Sequence, residues 1–349
     1  MLVFRTGQLG DTLVALPAIH ALKARHRGDK LILLTDKHPD KSYVSSWDIL
    51  GPTGWFEEVI FYEPGPLYWL NLKAVLATIS SIRRIRAGVA YILAPERNAW
   101  QLFRDRFFFR IVAGVRECHS RGAGGSPTRR RNRPLPHVKP EWRVLREVIP
   151  YSESEHFDLK PLIPQSELDS ANELMMRLMD NEATRFVALG PGSKMPSKIW
   201  PEERYISLLR RLTKAFENTK FIVLGGKEDK TIGDRISAAA GTSIHNLAGS
   251  VSVMGSAAIL TRCNAYIGND TGTMHLAAMV GVPCIALFSA RDFPDRWRPY
   301  GDNHTILRRE VDCEGCMLEV CNKENNRCLR EISVDDTISA IAPLLSASH

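Results

Sequence analysis

The sequence predicts an α/β protein of two Rossmann-like domains, each organised around a parallel sheet, and three observations lead there. The chain has 349 residues, more than one hydrophobic core comfortably serves. Apolar runs of strand length alternate with helical periodicity along it, the pattern of βαβ units. Three times, a strand-like run ends at a turn of small residues that opens an apolar helix: Gly7-Gln8-Leu9-Gly10-Asp11, Pro191-Gly192-Ser193-Lys194 and Gly268-Asn269-Asp270-Thr271-Gly272. At such a junction unpaired backbone N–H groups and the positive end of the helix dipole face whatever docks there. Three of them imply a substrate that carries a diphosphate.

In the first half, residues 2–4, 31–34, 59–61 and 89–93 read as buried strands, and the clearest helix between them spans 12–26. In the second half the strands fall at 186–189, 221–224, 265–267 and 284–288, with helices near 202–216, 230–240, 253–262 and 273–280. Pro134, Pro136, Pro140, Pro150, Pro161 and Pro164 punctuate a stretch without sustained periodicity, as domain edges do. The expected division is 1–165 for the first domain and 166–333 for the second, with the crossing somewhere in 160–183. Residues 334–345 look helical, and a helix there can pack back across the first domain.

A content of 44% apolar and 24% charged residues is ordinary for a soluble globular protein. No run approaches a membrane span, and the first residues lead into a strand instead of a signal peptide, so the chain is expected to stay in the cytoplasm. Residues 1–165 carry 25 Lys and Arg against 16 Asp and Glu, a net +9, which leaves −2 for the rest. The first half is therefore the one expected to meet an anionic partner. Much of its excess sits in Arg116, Arg121, Arg129, Arg130, Arg131 and Arg133, a segment that reads either as a solvated loop or as a contact for a phosphorylated glycolipid or an anionic membrane face. Contact of that kind would be peripheral, at the cytoplasmic face of the inner membrane, and sensitive to salt. No aromatic-interleaved basic motif accompanies the charge, which argues against nucleic acid.

Asp11 follows Gly10 where the first strand ends, and two roles are open to it. A carboxylate at the carboxyl edge of a parallel sheet faces the crevice where such folds bind ligands. Asp is also a preferred helix N-cap. The Gly7 to Gly10 turn lacks the full dinucleotide fingerprint, so a nicotinamide cofactor has little support. Gly192, Ser193, Lys194 and Lys198 precede a helix start marked by Pro201, Glu202 and Glu203. Small residues there let backbone donors approach a phosphate, and a lysine supplies compact charge to oxygen that turns negative as a bond to phosphate breaks. After the next strand, Gly225 and Gly226 permit close approach, while Glu228 or Asp229 can take hydrogen bonds from sugar hydroxyls or cap the following helix. Met254 offers an apolar slot for a base, or is core. Asp270, an acceptor when ionised, can orient a lysine, with Thr271 and Gly272 donating to phosphate and His275 bonding the ligand or bracing the turn.

Cys313, Cys316, Cys321 and Cys328 form a C-x2-C-x4-C-x6-C cluster. Disulfides are rare in the cytoplasm, so either a structural zinc or iron or a knuckle of packed, reduced thiols is expected, and catalysis depends on neither. The other three cysteines, Cys118, Cys263 and Cys284, are scattered.

Taken together, Gly10-Asp11-Thr12-Leu13 with Leu16-Pro17-Ala18, Gly192-Ser193 through Lys198-Ile199-Trp200-Pro201, and Asp270-Thr271-Gly272 with His275-Leu276-Ala277-Ala278 and Gly281-Val282-Pro283 resemble glycosyltransferase family nine, the ADP-heptose:lipopolysaccharide heptosyltransferases. The resemblance covers the first 25 residues and nearly all of 186–330, the cysteines included, and is loose over 38–165. It implies a GT-B fold, in which two Rossmann-like domains face a central cleft, and an inverting transfer of sugar from a nucleoside diphosphate to a glycolipid or surface-glycan hydroxyl. It assigns Asp11 as general base and places donor recognition on Ser193, Lys198, Glu228, Asp270, Thr271, Gly272 and His275. No Asp-x-Asp pair occurs in the chain, which favours a reaction without a catalytic metal. A nucleotide-sugar epimerase or hydrolase of similar build, and a non-catalytic anion-binding module, are the rival expectations.

Overall fold

The computed structural model describes residues 1–38, 44–63, 71–124, 134–150, 156–323 and 325–346. The chain divides into two compact units. In the first, β1 (Leu2–Phe4), α1 (Leu9–Arg25), β2 (Ile32–Asp36), α2 (Ser46–Leu50), β3 (Glu58–Tyr62), α3 (Leu72–Arg84), β4 (Val89–Ile92), α4 (Ala99–Phe107), β5 (Glu117–Ser120) and α5 (Glu141–Arg146) follow one another. The strands form one sheet in the order β3-β2-β1-β4-β5, parallel at every pairing. Leu2, Phe4, Ile32, Leu34, Ile92 and Phe109 pack in one of its cores. Helices cover both faces of such a sheet, so its central strands are apolar throughout instead of alternating.

The second unit holds α6 (Gln165–Leu178), β6 (Arg185–Gly190), α7 (Glu202–Ala215), β7 (Thr219–Val223), α8 (Lys230–Ala240), β8 (Ile244–Asn246), α9 (Val253–Leu260), β9 (Ala265–Asn269), α10 (Gly272–Met279), β10 (Cys284–Phe288), β11 (Thr305–Arg308), α11 (Arg327–Arg330) and α12 (Val334–Ser346). Its sheet runs β11-β10-β9-β6-β7-β8, again all parallel. Helix α7 shows why these segments fold as they do. Glu202 and Glu203 complement the dipole in its first turn, and Tyr205, Leu208, Leu209 and Leu212 make one buried stripe.

Every expected strand is present, and β5, β8 and β11 are additions. All three lie at sheet edges and, Ile244 of β8 apart, consist of exposed or half-buried residues, so no continuous apolar run announces them. The crossing between units falls at residues 157–158, earlier than 165. Phe157 packs its ring near Trp55 and His20 of the first unit, whereas Leu159 N donates to Met279 O of the second at 2.9 Å. The proline segment 134–140 is docked in the second unit, with Leu135 N on Glu314 Oε2 at 2.9 Å and Val138 N on Pro294 O at 3.2 Å. Helix α12 likewise belongs to the second unit, against α7, β10 and β11, where the sequence allowed a return to the first. Ile341 and Leu345 on it are fully buried in that core. No helix among the described residues is long and apolar enough to cross a membrane.

Candidate active site

The carboxyl ends of β6, β7 and β9 gather the residues expected to hold a donor. Strand β9 ends at Asn269, and Thr271 is the N-cap of α10 in an extended conformation, its side chain making no cap hydrogen bond. The first N–H groups of α10 are therefore left without a capping side chain from Thr271, a condition that an anion site at a helix start requires. Lys198 Nζ lies 2.7 Å from Asp270 Oδ2, with both side chains largely buried, and 5.9 Å from the centre of the Trp297 ring. The ammonium is fixed between a carboxylate and an aromatic face. Trp297 is itself held, since its Nε1 donates to Asp292 Oδ2 at 3.0 Å and Asp292 pairs with Arg296 at 3.2 Å.

Asn269, which the sequence reading passed over inside its own motif, ties this edge together. Fully buried, it donates from Nδ2 to Pro191 O at 2.8 Å and to Gly192 O at 3.3 Å. Its Oδ1 accepts from Trp200 N at 3.1 Å and from the Tyr205 hydroxyl at 3.2 Å. One amide therefore locks the Gly192 turn to the β9 end and to the segment that carries Lys198. Ser193 Oγ accepts from Met195 N at 3.1 Å, which leaves its proton to donate elsewhere.

Close approach explains the glycines. A Cβ at Gly192 would lie 1.7 Å from Asp229 Oδ1, and Cβ atoms at Gly190 and Gly268 would lie 1.8 and 2.3 Å from the Tyr266 hydroxyl. Asp229 accepts from Gly226 N at 2.9 Å, which closes the 3-10 turn Lys227–Asp229, while as the N-cap residue of α8 its side chain makes no cap hydrogen bond. Burial pushes its carboxyl up from the usual range. Glu228 is the freer acid, half-exposed and 4.0 Å from Lys194. Met254 is only 5% exposed in the first turn of α9, a core position with little surface for a base.

His275 is 2% exposed, its ring 6.4 Å from that of Trp297. Burial lowers its pKa to about 4, so near neutral pH it is an uncharged imidazole and can act toward a phosphate only as a hydrogen-bonding group. Its Nδ1 has no hydrogen-bond partner among the described residues.

In the first unit, Gly10 and Asp11 lie inside α1, which starts at Leu9. Asp11 is therefore not the N-cap; Gln8 is. The carboxylate reaches back to that cap, with Gln8 N on Oδ2 at 3.0 Å, while Oδ1 stands 3.9 Å from Arg5 Nη2. Gly7, at φ +116°, makes the turn possible, and a Cβ there would strike the Asp11 side chain at 2.8 Å.

The four clustered cysteines do lie near one another. Burial, then the neighbouring thiols, pushes the Cys313 and Cys328 thiols up. Cys321 Sγ is engaged with Lys323 O at 2.7 Å, and no group of three or more His, Cys, Asp or Glu side chains among the described residues is arranged to hold a metal.

Two units, each built on an all-parallel sheet with helices between its strands, give the architecture of the GT-B fold. Residues 112–326 match the sequence profile described as glycosyltransferase family 9 (heptosyltransferase), and the chain belongs to that family. The match leaves the Gly10-Asp11 turn outside its span. The chain is 22% identical over 351 residues to lipooligosaccharide heptosyltransferase 2 of Campylobacter jejuni serotype O:2, covering 98% of this chain and 97% of that one. Among solved structures, a family 9 glycosyl transferase of Veillonella parvula aligns with TM-score 0.72 at 18% identity, over 99% of this chain and 97% of the other. The ADP-heptose lipopolysaccharide heptosyltransferase II of E. coli aligns with TM-score 0.65 at 17% identity, over 99% and 98%. The protein is thus an enzyme of glycosyl transfer.

Proposed function

We propose that the chain transfers heptose from ADP-heptose to a hydroxyl of a lipopolysaccharide core or related surface glycan, with inversion and without a catalytic metal. The observation that carries the reading is the Lys198 ammonium, fixed 2.7 Å from Asp270 beside the uncapped start of α10. A buried, pre-positioned cation next to free backbone donors is what a departing diphosphate needs, and it does the work that a divalent ion does in other transferases.

In this scheme the backbone at Thr271 and Gly272, the Ser193 hydroxyl and Lys198 bind the diphosphate. Neutral His275 adds a hydrogen bond, Lys194 adds charge, and Glu228 accepts from ribose hydroxyls. Gly192 and Gly226 keep their turns free of side chains, as Gly10 does the first turn of α1. Asp11 takes the acceptor proton as the oxygen attacks the anomeric carbon, and a single displacement inverts that centre. The relatives' names, which specify heptosyltransferases of lipooligosaccharide and lipopolysaccharide, support the choice of sugar and acceptor. The acceptor is then lipid-borne, and work at the cytoplasmic face of the inner membrane follows from that.

Incubation with ADP-heptose alone and with lipopolysaccharide core tests the proposal, with ADP release and the anomeric configuration of the product as readouts. Release that depends on acceptor is expected; equal release without it would make the enzyme a hydrolase or epimerase. Asp11→Asn is expected to lower kcat by about 10²–10⁴ with donor affinity unchanged. Near-normal turnover would reduce Asp11 to the helix-start role its bond to Gln8 N already gives it.

A further inference from the structure

We infer that the outer face of α4, on the first unit, is a docking surface for an anionic lipid bilayer. Along α4 and the π-helical turn Phe108–Val112 that continues it, Leu102, Asp105 and Phe109 point inward and are buried. The outward line is not polar. Trp100, Phe103, Phe107 and Ile111, spaced by three, four and four residues, are 67%, 60%, 49% and 65% exposed. The aromatic rings form a ladder, Trp100 on Phe103 at 5.8 Å and Phe103 on Phe107 at 6.2 Å. Helix α3 is tied to the end of this segment where Arg83 Nε donates to Val112 O at 3.0 Å, and in its first turns it exposes Leu72 and Leu76, at 68% and 62%. A helix that packs one stripe inward normally turns charge outward, so a contiguous apolar line facing water marks a partner.

Charge identifies that partner. From Arg97 to Arg116 the sequence holds five arginines and one carboxylate. The carboxylate, Asp105, is buried and neutralised by Arg97 at 3.2 Å and Arg104 at 2.7 Å. Arg106 and Arg110 flank an apolar recess of about 500 Å³ between Phe103, Phe107 and Ile111. Aromatic rings that sink to headgroup depth, with guanidinium groups at phosphate level, form the interfacial pattern of a membrane-bound amphipathic helix. Single-stranded nucleic acid also stacks on aromatic ladders, but it has no use for the aliphatic Ile111, Leu72 and Leu76. The basic run at residues 129–133 that the sequence singled out lies outside the described residues. On charge alone, association would vanish in salt; the apolar ladder adds a component that salt does not screen.

What the surface is for rests on the lipid-borne acceptor proposed above; the binding itself does not. The test is flotation of the full chain with phosphatidylcholine vesicles, with and without phosphatidylglycerol, at low and high salt. Wild type is expected to float with the anionic vesicles and to remain partly bound in high salt. Phe103→Ser/Phe107→Ser is expected to bind about a hundredfold more weakly, roughly tenfold per ring withdrawn from the interface, with melting temperature and ADP affinity unchanged. Arg106→Gln/Arg110→Gln is expected to lose the preference for phosphatidylglycerol. Wild type that fails to float at low salt, or a phenylalanine double variant that floats like wild type, overturns the inference. So does a wild-type dimer that the same double variant converts to monomer with no vesicle binding, or a wild type that binds an oligonucleotide in place of vesicles. A chain that floats but transfers no sugar removes the proposed function and keeps this surface. A chain that acts on detergent-dispersed acceptor without floating does the reverse.

Discussion

The two units share an architecture and differ in how they finish their surfaces. The second closes the carboxyl edge of its sheet from within: Asn269 locks the Gly192 turn, Asp270 holds Lys198, and Asp229 holds Gly226. The first leaves apolar surface open. Of the ten large hydrophobic side chains exposed among the described residues, seven belong to it (Phe61, Leu72, Leu76, Trp100, Phe103, Phe107 and Ile111), against Met176, Met317 and Val320 in the second. Its half of the sequence also carries the positive excess. A site for a small charged ligand can be preorganised by buried hydrogen bonds, since each donor and acceptor has a fixed partner. A surface for an extended, partly lipidic partner is completed only by that partner, and until then looks unfinished.

The largest effect that sharpens this contrast is expected at Lys198. Lys198→Ala should lower kcat by about 10²–10³, the cost of losing one preorganised charge at a leaving group. It should also lower stability by about 3 kcal/mol, because Asp270 is left largely buried without its cation. Lys198→Ala/Asp270→Ala separates the two effects: melting should recover while kcat does not. If kcat returns as well, the lysine serves only the fold and the chemical half of the comparison fails. Next in size is Asn269→Ala, expected to destabilise by about 3 kcal/mol in urea denaturation, because the buried Trp200 N–H and the Gly192 turn lose their partner. Donor affinity should weaken with it. A variant as stable as wild type would mean that the second unit is not closed by this network.

The central strands and the main helices were legible because burial on both sheet faces writes uninterrupted apolar runs into the sequence. The edge strands were not: β5 reads Glu117-Cys118-His119-Ser120, and nothing in four polar or half-buried residues distinguishes it from a loop. The turns of the candidate site could be found, since small residues after a strand have few other uses. Their internal wiring could not, because the bonds of Asn269 span 64 to 78 residues and depend on how β6 and β9 pair. Asp11 shows a finer limit. Helix periodicity fixed the apolar face of α1 but not its first residue, and a start at Leu9 moves Asp11 from the cap into the first turn. The aromatic line of α4 was in plain view as Trp100, Phe103, Phe107 and Ile111, yet spacing alone cannot say whether such a line faces in or out.

The smallest predicted effect tests whether the second unit is as dry as its packing suggests. His275 has its pKa lowered to about 4, chiefly by burial, with Lys198 and His304 also opposing its charge and Asp270 favouring it. In the unfolded chain the same imidazole takes up a proton near pH 6.5. Between those values the unfolded state binds a proton that the folded state refuses, so stability falls as pH drops through this window. It is undiminished by this group above pH 6.5 and loses nothing further from it below about pH 4. The integrated loss is about 3 kcal/mol at most. His275→Gln, which cannot take up the proton, should flatten that part of the acid limb when urea midpoints are compared from neutral pH downward. Midpoints that fall in parallel for both proteins would mean that the folded imidazole protonates normally. Water would then reach the base of α10, and the contrast between a closed second unit and an open first unit would not hold at this buried titratable position.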